Sequence, residues 1–238
     1  MKKGLSEKPV LFLILLLIAA FALTAVFVII FQMIGLEGNL AISVARILAA
    51  VMLMILFRNC FPWPNSFRGV RYIIPALIIV VWNVLYNYLS HSTLKPMAEI
   101  PGIVLAALAP ALFEESIFRM IGFKKMEDAG RTPTATVIST ALIFGLIHLT
   151  NIVGGDVLNT LIQTAYATAV GILFGGIYAA TKDPASMILL HFLTDFSSQI
   201  FQSSGSPLNI IVLILFVAVL GFITYYGMML TKQAESAQ

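Results

Sequence analysis

The chain has 238 residues, of which 60% are hydrophobic and only 11% are charged. Soluble domains carry roughly 25% charged residues, so this composition excludes an ordinary soluble protein and indicates an integral membrane protein. The net charge of +3 does not indicate nucleic-acid binding, and the single cysteine excludes an intramolecular disulfide. No polar stretch is long enough to fold separately, so we expect one integral membrane domain over residues 1–238.

The N-terminus has the outline of a secretory signal. A basic MKKGLSEK segment precedes an apolar run, and Ala20-Phe21-Ala22 has the form of a small-residue cleavage site. The run continues through VFVIIFQMI, however, and so reaches the ~20 residues of a spanning helix. We therefore expect the segment to remain attached as the first spanning helix.

Eight apolar segments have lengths near the ~17–25 residues that a bilayer requires. Their extents are 10–34, 41–57, 71–90, 101–123, 133–149, 157–180, 184–203 and 207–230. Pro101, Pro133, Pro184 and Pro207 stand near first turns, where a missing N–H costs nothing, whereas Pro75 fits less well. The sequence predicts an all-α, polytopic bundle of about eight transmembrane helices.

The basic residues of the connections indicate the orientation. Alternate connections contain Lys2, Lys3 and Lys8; Arg58, Arg68 and Arg71; Lys124, Lys125 and Arg131; Lys182; and Lys232. The opposite connections contain only Lys95. Since cytoplasmic loops carry the excess of Lys and Arg, we predict that both termini are cytoplasmic.

Several polar or small residues are explained by packing. Gly171 and Gly175 have the spacing that allows close helix approach, and interhelical hydrogen bonds are favoured over a cavity-lining role for Asn83 and Asn87. Arg46 lies near the outer start of the second segment, where snorkelling to the interface accounts for it.

The fourth segment, PGIVLAALAPALFEESIFRMIGF, contains charges that packing does not explain. A charged residue at a helix centre costs ~2.5–3.5 kcal/mol, while each large apolar residue returns only ~0.3–0.6 kcal/mol, so this helix must be enclosed or border a water-filled cavity. Glu115 and Arg119, at i,i+4, are predicted to pair on one face. Glu114 has no partner at that spacing and is left available.

Two further segments supply matching groups. His148 follows Phe144 by four residues in the fifth segment, and Asp195 follows His191 by four residues in the seventh. Two histidines and three acids on three helices favour a shared polar site. A carboxylate can take a proton from water and return it to a leaving amine, while histidines can position the water, donate to an oxyanion or bind Zn²⁺. These roles indicate hydrolysis.

The motifs EESIFR at 114–119, FGLIH at 144–148 and HFLTD at 191–195 resemble those of the CPBP family of intramembrane proteases. This family comprises CAAX prenyl endopeptidases and bacteriocin-processing or immunity proteins of the Abi type. The motif-bearing core covers about 100–203. The resemblance implies that Glu114 and His148 activate the attacking water and that His191 and Asp195 lie at the oxyanion. It assigns to Glu115 and Arg119 the task of holding the first motif in place.

Prenyl-processing members have Asn where this chain has Asp195, and an ionised Asp is only an acceptor. Asp195 is therefore expected to be a buried neutral acid or a ligand of Zn²⁺ or another divalent metal, together with His148, His191 and Glu114. A metal-free mechanism remains equally open. Small loops resemble the bacterial branch, which implies a prokaryotic plasma membrane.

The predicted function is thus hydrolysis of peptide bonds in membrane-associated or lipidated peptides and proteins. The expected partners are membrane lipid and a peptide or protein substrate. The alternative is a non-catalytic membrane partner, for bacteriocin self-immunity or as a scaffold. A proton-coupled transporter is a third possibility, but the paired discontinuous helices that transporters use are not visible.

Overall fold

The computed structural model describes residues 8–62, 67, 69–202 and 210–237. Over this part of the chain the protein is a helix bundle, as predicted. The helices are α1 (Pro9–Met33), α2 (Gly38–Leu56), α3 (Val70–Ala76), α4 (Ile78–Leu89), α5 (Ile100–Glu115), α6 (Phe123–Asp128), α7 (Pro133–Ile147), α8 (Val157–Thr181), α9 (Pro184–Gln199) and α10 (Ile210–Ser236).

Seven helical stretches in the described residues are long and apolar enough to cross a membrane. The chain is thus an integral, multi-pass membrane protein. The seventh predicted segment, 184–203, forms the 16-residue α9, which spans about 24 Å against a hydrocarbon core of ~30 Å. Beyond it, strand β2 (Phe201–Gln202) pairs antiparallel with strand β1 (Thr93–Leu94).

The third predicted segment is divided in two. Pro75 stands inside α3, which ends at Ala76, and α4 starts at Ile78. Proline lacks the N–H that continues the helical ladder, and its ring crowds the preceding turn. This division explains why Pro75 did not fit an uninterrupted helix.

The fourth predicted segment extends further than expected. Four consecutive elements form one span over Met97–Asp128: a 3-10 turn over Met97–Glu99, α5, a π-helical stretch over Ser116–Gly122 and α6. Pro101 and Pro110 both lie in α5, and the π-helical stretch begins at Ser116, after Pro110. The first residues of this π-helical stretch, 116–119, belong to the motif EESIFR.

Glycines bring α8 close to α7 and α10, which confirms the predicted close approach. A Cβ at Gly171 would lie 2.9 Å from the Cα of Ala141, and a Cβ at Gly175 would lie 3.1 Å from Val137. At Gly176 a Cβ would lie 2.1 Å from the carbonyl oxygen of Gly227 on α10. At Gly171 and Gly176 the neighbouring backbone is too close for any other residue.

The hydrogen bonds of Asn83 are interhelical, as predicted. Its Nδ2 donates to the carbonyl oxygen of Thr194 at 2.9 Å and to Ser197 Oγ at 3.0 Å, both on α9. Asn87 instead donates within α4, to the carbonyl oxygen of Asn83. These bonds hold α9 against α4.

Some sequence predictions fall on residues that the structure does not describe. Lys2, Lys3, Arg68 and Pro207 lie outside the described residues, and so do the boundaries predicted at 203 and 207. The single-domain prediction for residues 1–238 stays a prediction.

Candidate active site

The two adjacent glutamates of EESIFRM have different surroundings. Glu115 is the last residue of α5 and is fully buried, whereas the Glu114 side chain is 12% exposed and borders a cavity. The π-helical stretch begins directly after them and buries all seven of its residues. Such stretches are frequent at functional sites.

The predicted pair of Glu115 and Arg119 is present. Arg119 Nη1 donates to Glu115 Oε1 at 3.1 Å, and Arg119 is 1% exposed. Its guanidinium lies 4.9 Å from the ring centroid of Phe144 and 5.3 Å from that of Phe174, distances typical of cation–π contacts. The pair is therefore enclosed by aromatic side chains.

Glu115 also binds a histidine from another helix. His191 Nδ1 lies 2.7 Å from the same oxygen, Glu115 Oε1. A carboxylate oxygen accepts, so Nδ1 carries the hydrogen and Nε2 is left to face Glu114 and Asp195. Its distances to Glu114 Oε2 and Asp195 Oδ2 are both 3.8 Å. Helical spacing alone did not predict this contact, because it joins residues 76 positions apart.

His148 is oriented in a similar way by its own motif. α7 ends at Ile147, and His148 opens a short 3-10 turn over His148–Val153. His148 Nδ1 donates to the carbonyl oxygen of Phe144 at 2.8 Å, which leaves Nε2 free to act as an acceptor. The Phe144 ring contacts the rings of His148 and His191, with centroids 5.1 and 6.3 Å apart.

A cavity of about 580 Å³ brings four predicted site residues together. Glu114, His148, His191 and Asp195 all line it. Glu115 and Arg119 do not; they lie behind His191 and hold it in place. Four of the six predicted site residues therefore line one cavity, and the other two, Glu115 and Arg119, are buried behind it.

Arg46 and Tyr166 are polar residues of this cavity that the sequence did not assign to the site. Arg46, which was expected to snorkel to the interface, is half-buried and lines the same cavity as Glu114 and Asp195. Tyr166 also lines it, with its hydroxyl buried. A charge in the apolar segment of α2 was a visible signal for Arg46, whereas nothing in the sequence distinguished Tyr166.

A second cavity, of about 560 Å³, borders the first. Its walls are apolar side chains of α1 and α7, and it shares Phe21, Ile147 and Thr150 with the polar cavity. The polar site is thus continuous with an apolar groove between two spanning helices.

The imidazoles and carboxylates of the cavity are groups that can ligate a metal ion. Both histidines have the Nδ1 hydrogen bond that usually orients metal-ligating imidazoles. These side chains line one cavity, but in the part of the chain that is described no three His, Cys, Asp or Glu side chains form a group that could hold a metal ion. The arrangement as it stands does not fit a metal centre.

A spanning helix bundle with a cavity lined by carboxylates and histidines defines a polytopic membrane protein with a hydrolytic type of site. Residues 96–197 match the family model described as type II CAAX prenyl endopeptidase Rce1-like. This match confirms that the three motifs resemble those of the CPBP family of CAAX-type intramembrane proteases. No curated protein and no solved structure matches the chain.

Proposed function

We propose that the protein is an intramembrane endopeptidase that hydrolyses peptide bonds of membrane-associated or lipidated peptides. The observation that supports this most directly is the convergence of Glu114, His148, His191 and Asp195 on one cavity inside the bundle. A base, a water-positioning group and oxyanion donors are the components that peptide hydrolysis requires.

Glu114 is the general base. Its carboxylate takes a proton from a water that His148 Nε2 holds by accepting its other hydrogen. The water oxygen bonds to the scissile carbonyl carbon. The C–N bond then breaks as Glu114 passes the proton to the leaving amine, so the products are a free carboxylate and a free amine.

His191 and Asp195 stabilise the oxyanion. With Nδ1–H held by Glu115, a protonated His191 directs its Nε2–H towards the cavity. Asp195, whose Oδ2 lies 3.8 Å from Nε2, acts beside it as a protonated acid, because an ionised carboxylate has no hydrogen to donate. The proposed steps use side chains alone, and the lack of a three-residue metal-binding group among the described residues supports this choice.

The apolar groove supports a membrane-associated substrate. It connects with the polar cavity through three shared side chains, so a lipid chain in the groove places an attached peptide beside Glu114. We take membrane lipid to occupy the groove when no substrate is present.

The test is hydrolysis of quenched fluorescent peptides, with and without an acyl or prenyl chain, by the purified protein in proteoliposomes. Glu114→Gln and His148→Ala are each expected to reduce kcat by ~10²-fold or more. Glu99→Gln changes an exposed glutamate outside the cavity and is the matched control. We expect chelators to leave turnover unchanged.

Unchanged turnover in Glu114→Gln contradicts the proposed base. If the wild-type protein cleaves no peptide but binds one equally well with and without Glu114, the non-catalytic alternative, self-immunity or a scaffold, takes its place. Stoichiometric metal that is lost on chelation together with activity contradicts the metal-free scheme.

A further inference from the structure

The polar cavity leads from a buried floor to a rim at one end of the bundle. His191, on the floor, is 5% exposed. The rim consists of exposed or half-exposed polar side chains near helix ends: Asn39 at the start of α2, Thr150 and Asn151 after α7, and Ser198 and Gln199 at the end of α9. The cavity therefore opens at the end of the bundle where α1 leads into α2.

The connections at this end are joined to one another. Strands β1 and β2 pair Thr93 with Gln202, and Lys95 N donates to the carbonyl oxygen of Ile200 at 2.9 Å. The connection before α5 thus lies beside the end of α9, close to Ser198 and Gln199 on the rim. We call this end of the bundle the mouth end.

The opposite end is joined by a separate set of contacts. Phe12, near the start of α1, packs edge-on against Phe57 after α2, and Lys125 Nζ lies 5.5 Å from the Phe12 ring centroid. Lys182, directly after α8, pairs with Glu127 near the end of α6. The two ends are therefore distinct surfaces.

The basic residues of the helix ends and connections lie almost entirely at one end of the bundle. Those described at the end opposite the mouth are Lys8, Arg58, Arg71, Lys124, Lys125, Arg131, Lys182 and Lys232. The connections described at the mouth end contain Lys95 alone, together with Glu37, Glu99 and Asp156. An excess of Lys and Arg marks the cytoplasmic side of a multi-pass protein.

We propose that the candidate active-site cavity opens on the non-cytoplasmic face of the membrane. The side of opening rests on charge and geometry alone. The substrate class rests in addition on the proposed peptidase function: it is peptides, or membrane-protein segments, that have been exported across the membrane. A peptide tail that stays in the cytoplasm would lie at the end of the bundle opposite the cavity opening.

Cysteine accessibility tests the proposal in intact cells. Burial raises the pKa of the Cys60 thiol and so slows its reaction with maleimides. All variants nevertheless carry Cys60→Ser, so that the introduced cysteine is the thiol that is labelled. Asn151→Cys places a thiol on the rim, and Asn59→Cys is its matched partner, an exposed asparagine at the opposite end. Val153→Cys, at a residue that is 91% exposed near the rim, serves if Asn151→Cys does not accumulate.

Cells are treated with a membrane-impermeant maleimide before and after permeabilisation. We expect the rim cysteine to be labelled to near completion in intact cells, and Asn59→Cys to be labelled at least tenfold more after permeabilisation than before. The reverse pattern overturns the proposal. Labelling does not require turnover. A protein that cleaves no peptide therefore contradicts the proposed peptidase function, while its labelling pattern still shows on which side the cavity opens.

Discussion

Adjacent acids on one helix occupy opposite sides of the same site. Glu115 is fully buried, and its Oε1 accepts from both Arg119 and His191, whereas Glu114 faces the cavity. One carboxylate thus neutralises the arginine and orients the imidazole. The other is free to exchange a proton with water. The resemblance assigned an anchoring task to Glu115, and the structure adds the imidazole to what it holds.

Substitution of the two glutamates should therefore have different effects on the stability of the fold. Glu115→Gln leaves Arg119 as an uncompensated buried charge, and breaking such a pair costs about 3–5 kcal/mol. We expect a lowered midpoint of thermal unfolding in detergent for Glu115→Gln, and a near-native midpoint for Glu114→Gln. Equal midpoints for the two variants contradict the division of tasks.

The helices around the site are closely packed on one side and separated by a groove on another. α8 meets α7 and α10 at glycines, where any side chain would clash with the neighbouring backbone. Between α1 and α7, by contrast, an apolar groove of about 560 Å³ remains. One side of the bundle is thus closely packed, while another is open to a lipid chain.

This groove leads to a prediction about substrate preference. Leu146 lies on α7 in the groove wall but does not line the polar cavity. We expect Leu146→Trp to raise KM for a lipidated peptide by ~10-fold, because an indole fills the space for the chain while the acids and histidines are unchanged.

KM for the same peptide without the chain should stay within twofold of wild type. The measurement is steady-state hydrolysis of the two peptides by each protein in proteoliposomes. Leu142→Trp, at an exposed position on α7 that lines neither cavity, is the control. A similar rise in KM for both peptides contradicts a lipid-binding groove.

At the scale of the whole molecule, contacts distant in sequence hold the bundle together. Asp183 is fully buried at the start of α9, where Oδ2 accepts from Gly69 N at 2.9 Å and from Ser186 Oγ at 2.7 Å. It links the residues before α3 to α9, across 114 positions. α9 carries His191 and Asp195, so this link also helps to position the site.

We expect Asp183→Ala to lower the free energy of unfolding by about 2–4 kcal/mol, because it removes a helix cap and leaves buried donors unpaired. Asp156→Ala removes an exposed cap from α8, where Oδ1 accepts from Asn159 N, and should cost only about 1 kcal/mol. Denaturant unfolding in mixed micelles measures both. Equal losses contradict the linking contribution of Asp183.

The predictions from sequence were most reliable where local spacing carried the information. Apolar segments of spanning length, prolines in first turns and the i,i+4 pair of Glu115 and Arg119 are all set by neighbours within one helix. The break at Pro75 was visible as an anomaly. The length of α9 was not predicted, because its C-terminal residues leave the helix to pair with a strand more than 100 positions earlier.

By itself, the sequence determined the membrane class, the helical architecture and the family motifs, because composition, hydropathy and fixed spacing depend only on residues close in the chain. Tertiary structure alone decided that His191 rests on Glu115, that Arg46 lines the cavity and that the rim lies at one end. These features join residues on different helices, and helix packing, which depends on the whole set of side-chain shapes, brings them within contact distance.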